Sequence, residues 1–163
     1  MKTFNIYTLG CKVNQYESEA MEKIFIQNGY DKVDRDQAAD TYIINTCTVT
    51  AAADSKSRQY ISKARKLNPQ ATIAVVGCYS QVSAEEVEAL EGVDIVVGTK
   101  HRHKILDLVE DYEKNQQKIN VVENIKKNQD FDEMETNEDR NMTRAYIKIQ
   151  EGCNMFCSYC IIP

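Results

Sequence analysis

The residues with the most chemical potential in this chain are its six cysteines. Three are nearly contiguous: Cys153, Cys157 and Cys160 in EGCNMFCSYCIIP, spaced C-x3-C-x2-C. A structural zinc site uses four protein ligands. Here three thiols are local, and His101 and His103 lie far back in the chain. A four-iron cluster held by three thiolates would leave one iron open, as a catalytic cluster needs. The apolar neighbours Met155, Phe156, Tyr159, Ile161 and Ile162 are expected to shield it. Disulfides are the weaker reading. The chain is long enough to bury a core without them, it opens on no signal peptide, and a reducing compartment keeps thiols free.

The other three cysteines, Cys11, Cys47 and Cys78, are far apart in sequence and share one context. In TLGCKVN, INTCTVT and VVGCYSQ the thiol follows an apolar run and precedes a helical pattern. A lone free cysteine is more often a small buried hydrophobe than a ligand. Three strand-to-helix turns of one parallel sheet, however, lie together at the carboxyl ends of its strands, where open α/β sheets bind ligands. Helix N-termini there favour thiolates and anionic groups, and Gly10 and Gly77 let the backbone come close.

The elements that must position these thiols are legible from periodicity. Residues 2–9, 41–45 (TYIIN), 72–76 (TIAVV) and 94–97 (DIVV) read as strands, with 119–122 as a further edge strand. Residues 14–28 read as a helix, capped by Asn14 with Glu17 three residues on and ended by Gly29. Residues 51–67 form a second helix, with Ser57, Tyr60, Ile61, Ala64 and Leu67 on one side. Ser83 and Glu86 read as a capping box opening a short helix, and residues 101–112 as a last helix. Alternating strands and helices predict an α/β fold, a mainly parallel sheet with helices on both faces, over residues 1–112. Residues 113–142 are polar and charged and read as a linker. Residues 144–150 (RAYIKIQ) alternate again and lead into the terminal cysteines.

At this point a family resemblance emerges. The terminal C-x3-C-x2-C, with an aromatic just before its last cysteine, resembles the radical S-adenosylmethionine enzymes. Together GCKVNQYESE, NTCTVT, GCYSQ and EGCNMFCSYCIIP look like the methylthiotransferases. GCKVNQYESE and DSKSR at residues 54–58 most resemble the branch that acts on N6-threonylcarbamoyladenosine in tRNA. The resemblance implies two 4Fe-4S clusters. Cys153, Cys157 and Cys160 match the ligands of the radical cluster, which binds S-adenosylmethionine. Cys11, Cys47 and Cys78 match those of an auxiliary cluster that supplies or carries sulfur. A second S-adenosylmethionine would give the methyl group, and a reductase or flavodoxin-type protein the electron. The base beside the anticodon would have to leave its stack to be reached.

The same resemblance implies parts beyond Pro163: most of a partial (β/α) barrel, of which residues 143–163 would be the start, and a small β-rich RNA-binding domain. The chain alone is therefore expected to be inactive. Two basic stretches, Lys56, Arg58, Lys63, Arg65 and Lys66 on one helix and residues 100–104, read first as solvated faces and second as contacts to tRNA. No apolar run approaches the roughly 20 residues that span a bilayer, so a cytoplasmic location is expected. A formal net charge of −5 argues against general nucleic-acid binding. Two alternatives stay open: a non-catalytic α/β module binding metal or a partner at the Cys11, Cys47 and Cys78 edge, and a methylthiotransferase acting on a ribosomal protein.

Overall fold

In the computed structural model, which describes residues 1–47, 51–124, 134, 148–160 and 162, and the side chains of these except 51–54, the β-branched runs pair into one sheet. Its strands are β1 (Thr3–Thr8), β2 (Asp31–Lys32), β3 (Thr41–Thr46), β4 (Thr72–Gly77), β5 (Ile95–Val97) and β6 (Ile119–Asn120). All pairings are parallel, in the order β2-β1-β3-β4-β5-β6. Helices α1 (Lys12–Gln27), α2 (Ala51–Leu67), α3 (Cys78–Val82), α4 (Ala84–Glu88) and α5 (Ile105–Asn115) connect the strands, with a 3-10 turn at Arg102–Lys104.

Helices cover both faces, so the central strands β3 and β4 are buried along their whole length. This is why TYIINT and TIAVVG are near-continuous apolar runs rather than alternating ones. Alternation survives in where each side chain goes. From β4, Ala74 and Val76 join a core with Met21 and Phe25 of α1 and Ile105 and Val109 of α5. Ile73 and Val75 join the opposite core, with Ile61 and Ala64 of α2 and Val87 of α4. Each such side chain contributes about 1.5–3 kcal/mol by leaving water. Both sheet edges are two-residue strands, which limits the unpaired backbone they expose.

Strand order reverses between β1 and β3. From β1 the chain passes through α1 to the outer strand β2, and from β3 through α2 to the other side. The helices after β1 and β3 therefore leave on opposite faces, opening a crevice at the carboxyl ends of these two strands.

Several local expectations give way to tertiary contacts. α1 starts two residues before Asn14, with Cys11 as its N-cap and no side-chain cap. Asn14 and Glu17 are inside the helix and buried, so they form no capping box. Ser83 likewise makes no cap hydrogen bond, and Glu86 pairs with Arg58 instead. Strand β2 and helix α3 were not legible, because two and five residues are too short to show a period. The expected edge strand is present as β6, which extends the sheet past residue 112. Met134 is buried in the α1/α5 core, and Tyr16 donates to its carbonyl over 2.9 Å. Of the expected strand at 144–150, residues 144–147 lie outside the described residues, as does most of the expected linker. Residues 148–150 carry no regular secondary structure.

Candidate metal centre

The crevice at the strand ends is built from polar side chains that the apolar runs place there. Asn14, buried on α1, donates through Nδ2 to the carbonyls of Leu9 and Thr46, both at 2.8 Å. One amide group thereby clamps the turn before Cys11 to the strand end before Cys47. The thiol of Cys11 lies 3.5 Å from Asn14 Oδ1. Asn45 donates to the Asn14 carbonyl and to Ser18 Oγ, both at 3.0 Å, and Thr8 Oγ1 donates to Ser18 Oγ at 2.8 Å. Thr46 Oγ1 donates to the Val76 carbonyl at 2.6 Å, tying the end of β3 to the end of β4. These buried hydrogen bonds tie the three strand ends and α1 together and hold what they surround.

Two glycines fit into this network where no side chain could. Gly10, at φ +101°, would carry a Cβ 2.5 Å from Cys47 Cβ and 2.8 Å from its Sγ. Gly77, at φ +99°, would carry one 2.7 Å from Asn45 Oδ1 and from the Thr46 carbonyl. The Cys11 turn therefore lies against Cys47, and the Cys78 turn against the residues just before Cys47. Cys47 is buried, Cys78 half-buried and Cys11 exposed, so the group opens to solvent on the Cys11 side. Burial pushes the Cys78 thiol up to about 11, with Cys47, Glu17 and Cys11 adding repulsion and Arg102 opposing it. Cys47 and Cys11 act on Cys78 because the three turns share one region.

The geometry bears on what these thiols could hold. Among the described residues no group of three or more His, Cys, Asp and Glu side chains surrounds a single point. A zinc ion, with Zn–S bonds of about 2.3 Å, needs such a point. An iron–sulfur cluster takes its thiolates on separate irons and tolerates a wider spread. Three thiols beside a glycine cradle at one crevice are a donor set of the kind a cluster uses.

The terminal triad is organised differently. Met155 N–H donates to Cys153 Sγ at 3.4 Å, Cys157 N–H to the Met155 carbonyl at 3.0 Å, and Cys160 N–H to the Cys157 carbonyl at 3.1 Å. These are local turns. Cys157 and Cys160 are exposed, and so are the neighbours expected to shield them: Phe156 is 79% and Tyr159 90% exposed, with Met155 and Ile162 also open. Ile161 lies outside the described residues. Among the described residues, the terminal cysteines also share no single metal-holding point with Cys11, Cys47 or Cys78.

Within the basic stretches several side chains have structural partners, while Lys56 and Lys66 are exposed. Arg65 is no solvated cation: it donates to the carbonyls of Pro69, Ala71 and Gly92 and pairs with Asp94 at 2.9 Å. Arg58 and Lys63 pair with Glu86 and Asp36. In the 100–104 stretch, His101 pairs with Glu123 at 2.9 Å. Arg102 is buried and bonded to Glu17 and Glu151. Sequence reasoning missed Asn14, Asn45 and Arg102 as site-building residues. The available signal was Asn45, a polar residue inside a run that is otherwise buried and apolar.

Comparison with known proteins extends this picture. The sequence model of the Uncharacterized protein family UPF0004 matches residues 3–98, a span that contains Cys11, Cys47 and Cys78. The threonylcarbamoyladenosine tRNA methylthiotransferase MtaB of Bacillus subtilis (strain 168) is 50% identical over 163 residues, 100% of this chain and 36% of that protein. The protein of the same name from Aquifex aeolicus (strain VF5) is 41% identical over 96% of this chain and 38% of its own length. A tRNA-2-methylthio-N(6)-dimethylallyladenosine synthase of Ehrlichia canis (strain Jake) is 36% identical over 100% of this chain and 38% of its own length. The chain thus spans little more than a third of the length of these relatives.

Proposed function

The chain belongs to the UPF0004 family, and on that premise we propose that it is the N-terminal part of a tRNA methylthiotransferase. Its substrate would be N6-threonylcarbamoyladenosine beside the anticodon, converted to the 2-methylthio derivative. The observation that carries this reading is the convergence of the Cys11, Cys47 and Cys78 turns on one crevice, in a chain half identical throughout to a relative of that name. The greater likeness to the threonylcarbamoyladenosine relatives than to the dimethylallyladenosine one supports the branch.

In this reading Cys11, Cys47 and Cys78 hold an auxiliary 4Fe-4S cluster, and Cys153, Cys157 and Cys160 hold the radical one that binds S-adenosylmethionine. When bound, the two clusters supply reductive cleavage of S-adenosylmethionine and the sulfur to be transferred. The chain's own residues supply the scaffold. Asn14 holds the turns carrying Cys11 and Cys47 in register. Gly10 and Gly77 admit the close backbone approach. The buried walls around Cys47 keep water from that side of the site. Residues 1–112 would be the auxiliary-cluster unit with β6 added to its sheet, 113–142 a connecting segment, and 143–163 the start of the radical core. Full catalysis would need the parts of the longer relatives that follow. The partners are tRNA and a reductase or flavodoxin-type electron donor, and the location is the cytoplasm. No helix of the described residues is long and apolar enough to cross a membrane.

Anaerobic reconstitution of the full-length protein with iron and sulfide tests the metal assignment. Two four-iron clusters are expected, one of them lost on replacing Cys11, Cys47 and Cys78 by Ala. Zinc without iron or sulfide after anaerobic purification would overturn it. Mass spectrometry of tRNA nucleosides from a deletion strain tests the substrate. The 2-methylthio derivative should vanish, and an unchanged level excludes this branch.

A further inference from the structure

Four charged side chains form a closed ring between the α/β unit and the segment carrying the terminal cysteines. Glu17 Oε2 pairs with Arg102 Nη1. Arg102 Nη2 lies 2.5 Å from Glu151 Oε1. Glu151 Oε2 lies 3.0 Å from Lys148 Nζ, which closes the ring on Glu17 Oε1 at 3.1 Å. Signs alternate around the ring, and each carboxylate uses its two oxygens on two different cations. The side chains of Glu17, Arg102 and Lys148 are each only 2% exposed.

Such burial needs an explanation, because a buried ion pair adds little stability over apolar packing of the same volume. What alternating buried charges do well is specify one arrangement against others. The position of this ring says which arrangement. Glu17 lies one helical turn beyond Asn14, which clamps the Cys11 and Cys47 turns. Arg102 follows β5 at the same carboxyl edge of the sheet. Glu151 stands two residues before Cys153. Glu17 and Arg102 are also close enough to Cys78 to influence its thiol.

We infer that Glu17, Arg102, Lys148 and Glu151 are positioning residues: their ring is a latch that docks the Cys153, Cys157 and Cys160 segment at a set place on the α/β unit, and so sets the spacing between the two cysteine groups. The role in spacing two clusters rests on the proposed function; the docking itself does not. The latch supplies what the terminal loop lacks, since the contacts among its cysteines are only local turns.

The test is a charge swap confined to the segment, Lys148→Glu with Glu151→Lys, in the full-length protein. It leaves the Glu17–Arg102 pair and the 148–151 pair intact and makes both contacts between them repulsive. In the metal-free protein, amide hydrogen exchange over residues 148–160 should accelerate by about tenfold or more, with α/β-unit exchange unchanged. Adding Glu17→Lys and Arg102→Glu restores alternation and should bring exchange back to the original rate. Lys148→Met alone, which removes one cation and leaves Glu17 and Glu151 facing across the ring, should loosen the segment too and serves if the fourfold variant does not fold. Unchanged exchange in the swap variant, or a folded fourfold variant that stays loose, overturns the latch. In the cluster-loaded enzyme, methylthiolated nucleoside formed per S-adenosylmethionine cleaved should fall by about tenfold in the swap variant, because misplacement uncouples the steps. An unchanged ratio overturns the positioning role. If the latch loosens as expected but the unaltered enzyme makes no methylthiolated tRNA, the functional reading fails and the docking stands.

Discussion

The two cysteine groups use the same side chain in opposite ways. Cys11, Cys47 and Cys78 are remote in sequence and are brought together by strand ends, glycine turns and a buried amide network. Cys153, Cys157 and Cys160 are close in sequence and shaped by their own turns, with Cys153 half-buried and the other two exposed. A scattered group exists only if the fold is right, so its geometry is inherited from the sheet. A contiguous group carries its spacing in the chain and takes its place in space from a distant contact, here the charged ring.

The contrast can be broken most sharply at the glycines. Gly77→Ala puts a Cβ into a backbone region that side chains avoid and against the Asn45 amide and Thr46 carbonyl. The combined strain and overlap should cost about 3 kcal/mol, read as a lower urea midpoint in the metal-free protein, with loss of iron from the Cys11, Cys47 and Cys78 set. A wild-type midpoint would mean the turns are not held against each other as described.

Asn14→Ala should come next. It orphans the Leu9 and Thr46 carbonyls and should cost about 2 kcal/mol. Under the proposed function, iron retention at Cys11, Cys47 and Cys78 should fall while the terminal three are unaffected. Equal losses at both groups would erase the distinction.

pH offers a gentler probe. With Cys78 raised to about 11 in the folded metal-free protein, its neutral form is favoured over that in the unfolded chain. Its contribution to stability is complete below the ordinary thiol range near pH 9. It declines as pH rises from there toward 11, where the folded thiol also ionises. Alkylation followed by peptide mass spectrometry at pH 8 should label Cys78 more slowly than the exposed Cys157 and Cys160. Equal rates would show that burial does not protect it.

The smallest effect should be Gly152→Ala. This glycine also has positive φ, at +72°, but nothing lies within 4 Å of its Cβ position. Backbone strain alone, with no overlap added, should lower the global unfolding free energy by about 1 kcal/mol. A loss as large as at Gly77 would mean the terminal loop is as integral to the fold as the crevice.

Much of this was readable in advance, and the errors share a cause. The α2 stripe was legible because Ser57, Ile61 and Ala64 obey helical spacing and are buried. The four longer strands were legible because their apolar runs are buried on two faces. The capping assignments at Asn14–Glu17 and Ser83–Glu86 failed because Asn14, Glu17 and Glu86 are taken by partners remote in sequence: two strand-end carbonyls, Arg102 with Lys148, and Arg58. Arg102 was hidden in a run of basic residues for the same reason. Local rules assume that a polar side chain serves its own helix, and a tertiary partner overrides that assumption.

By itself, then, the sequence determined the parallel α/β architecture, the placing of three cysteines after strands and the spacing of the terminal three. These depend on periodicity and on short-range geometry, which a chain carries locally. Only the tertiary structure decided which turns touch, which charges are buried and where the terminal segment docks. Those outcomes depend on pairs of residues far apart in the chain. Their interaction is strong only once the fold has excluded water from between them.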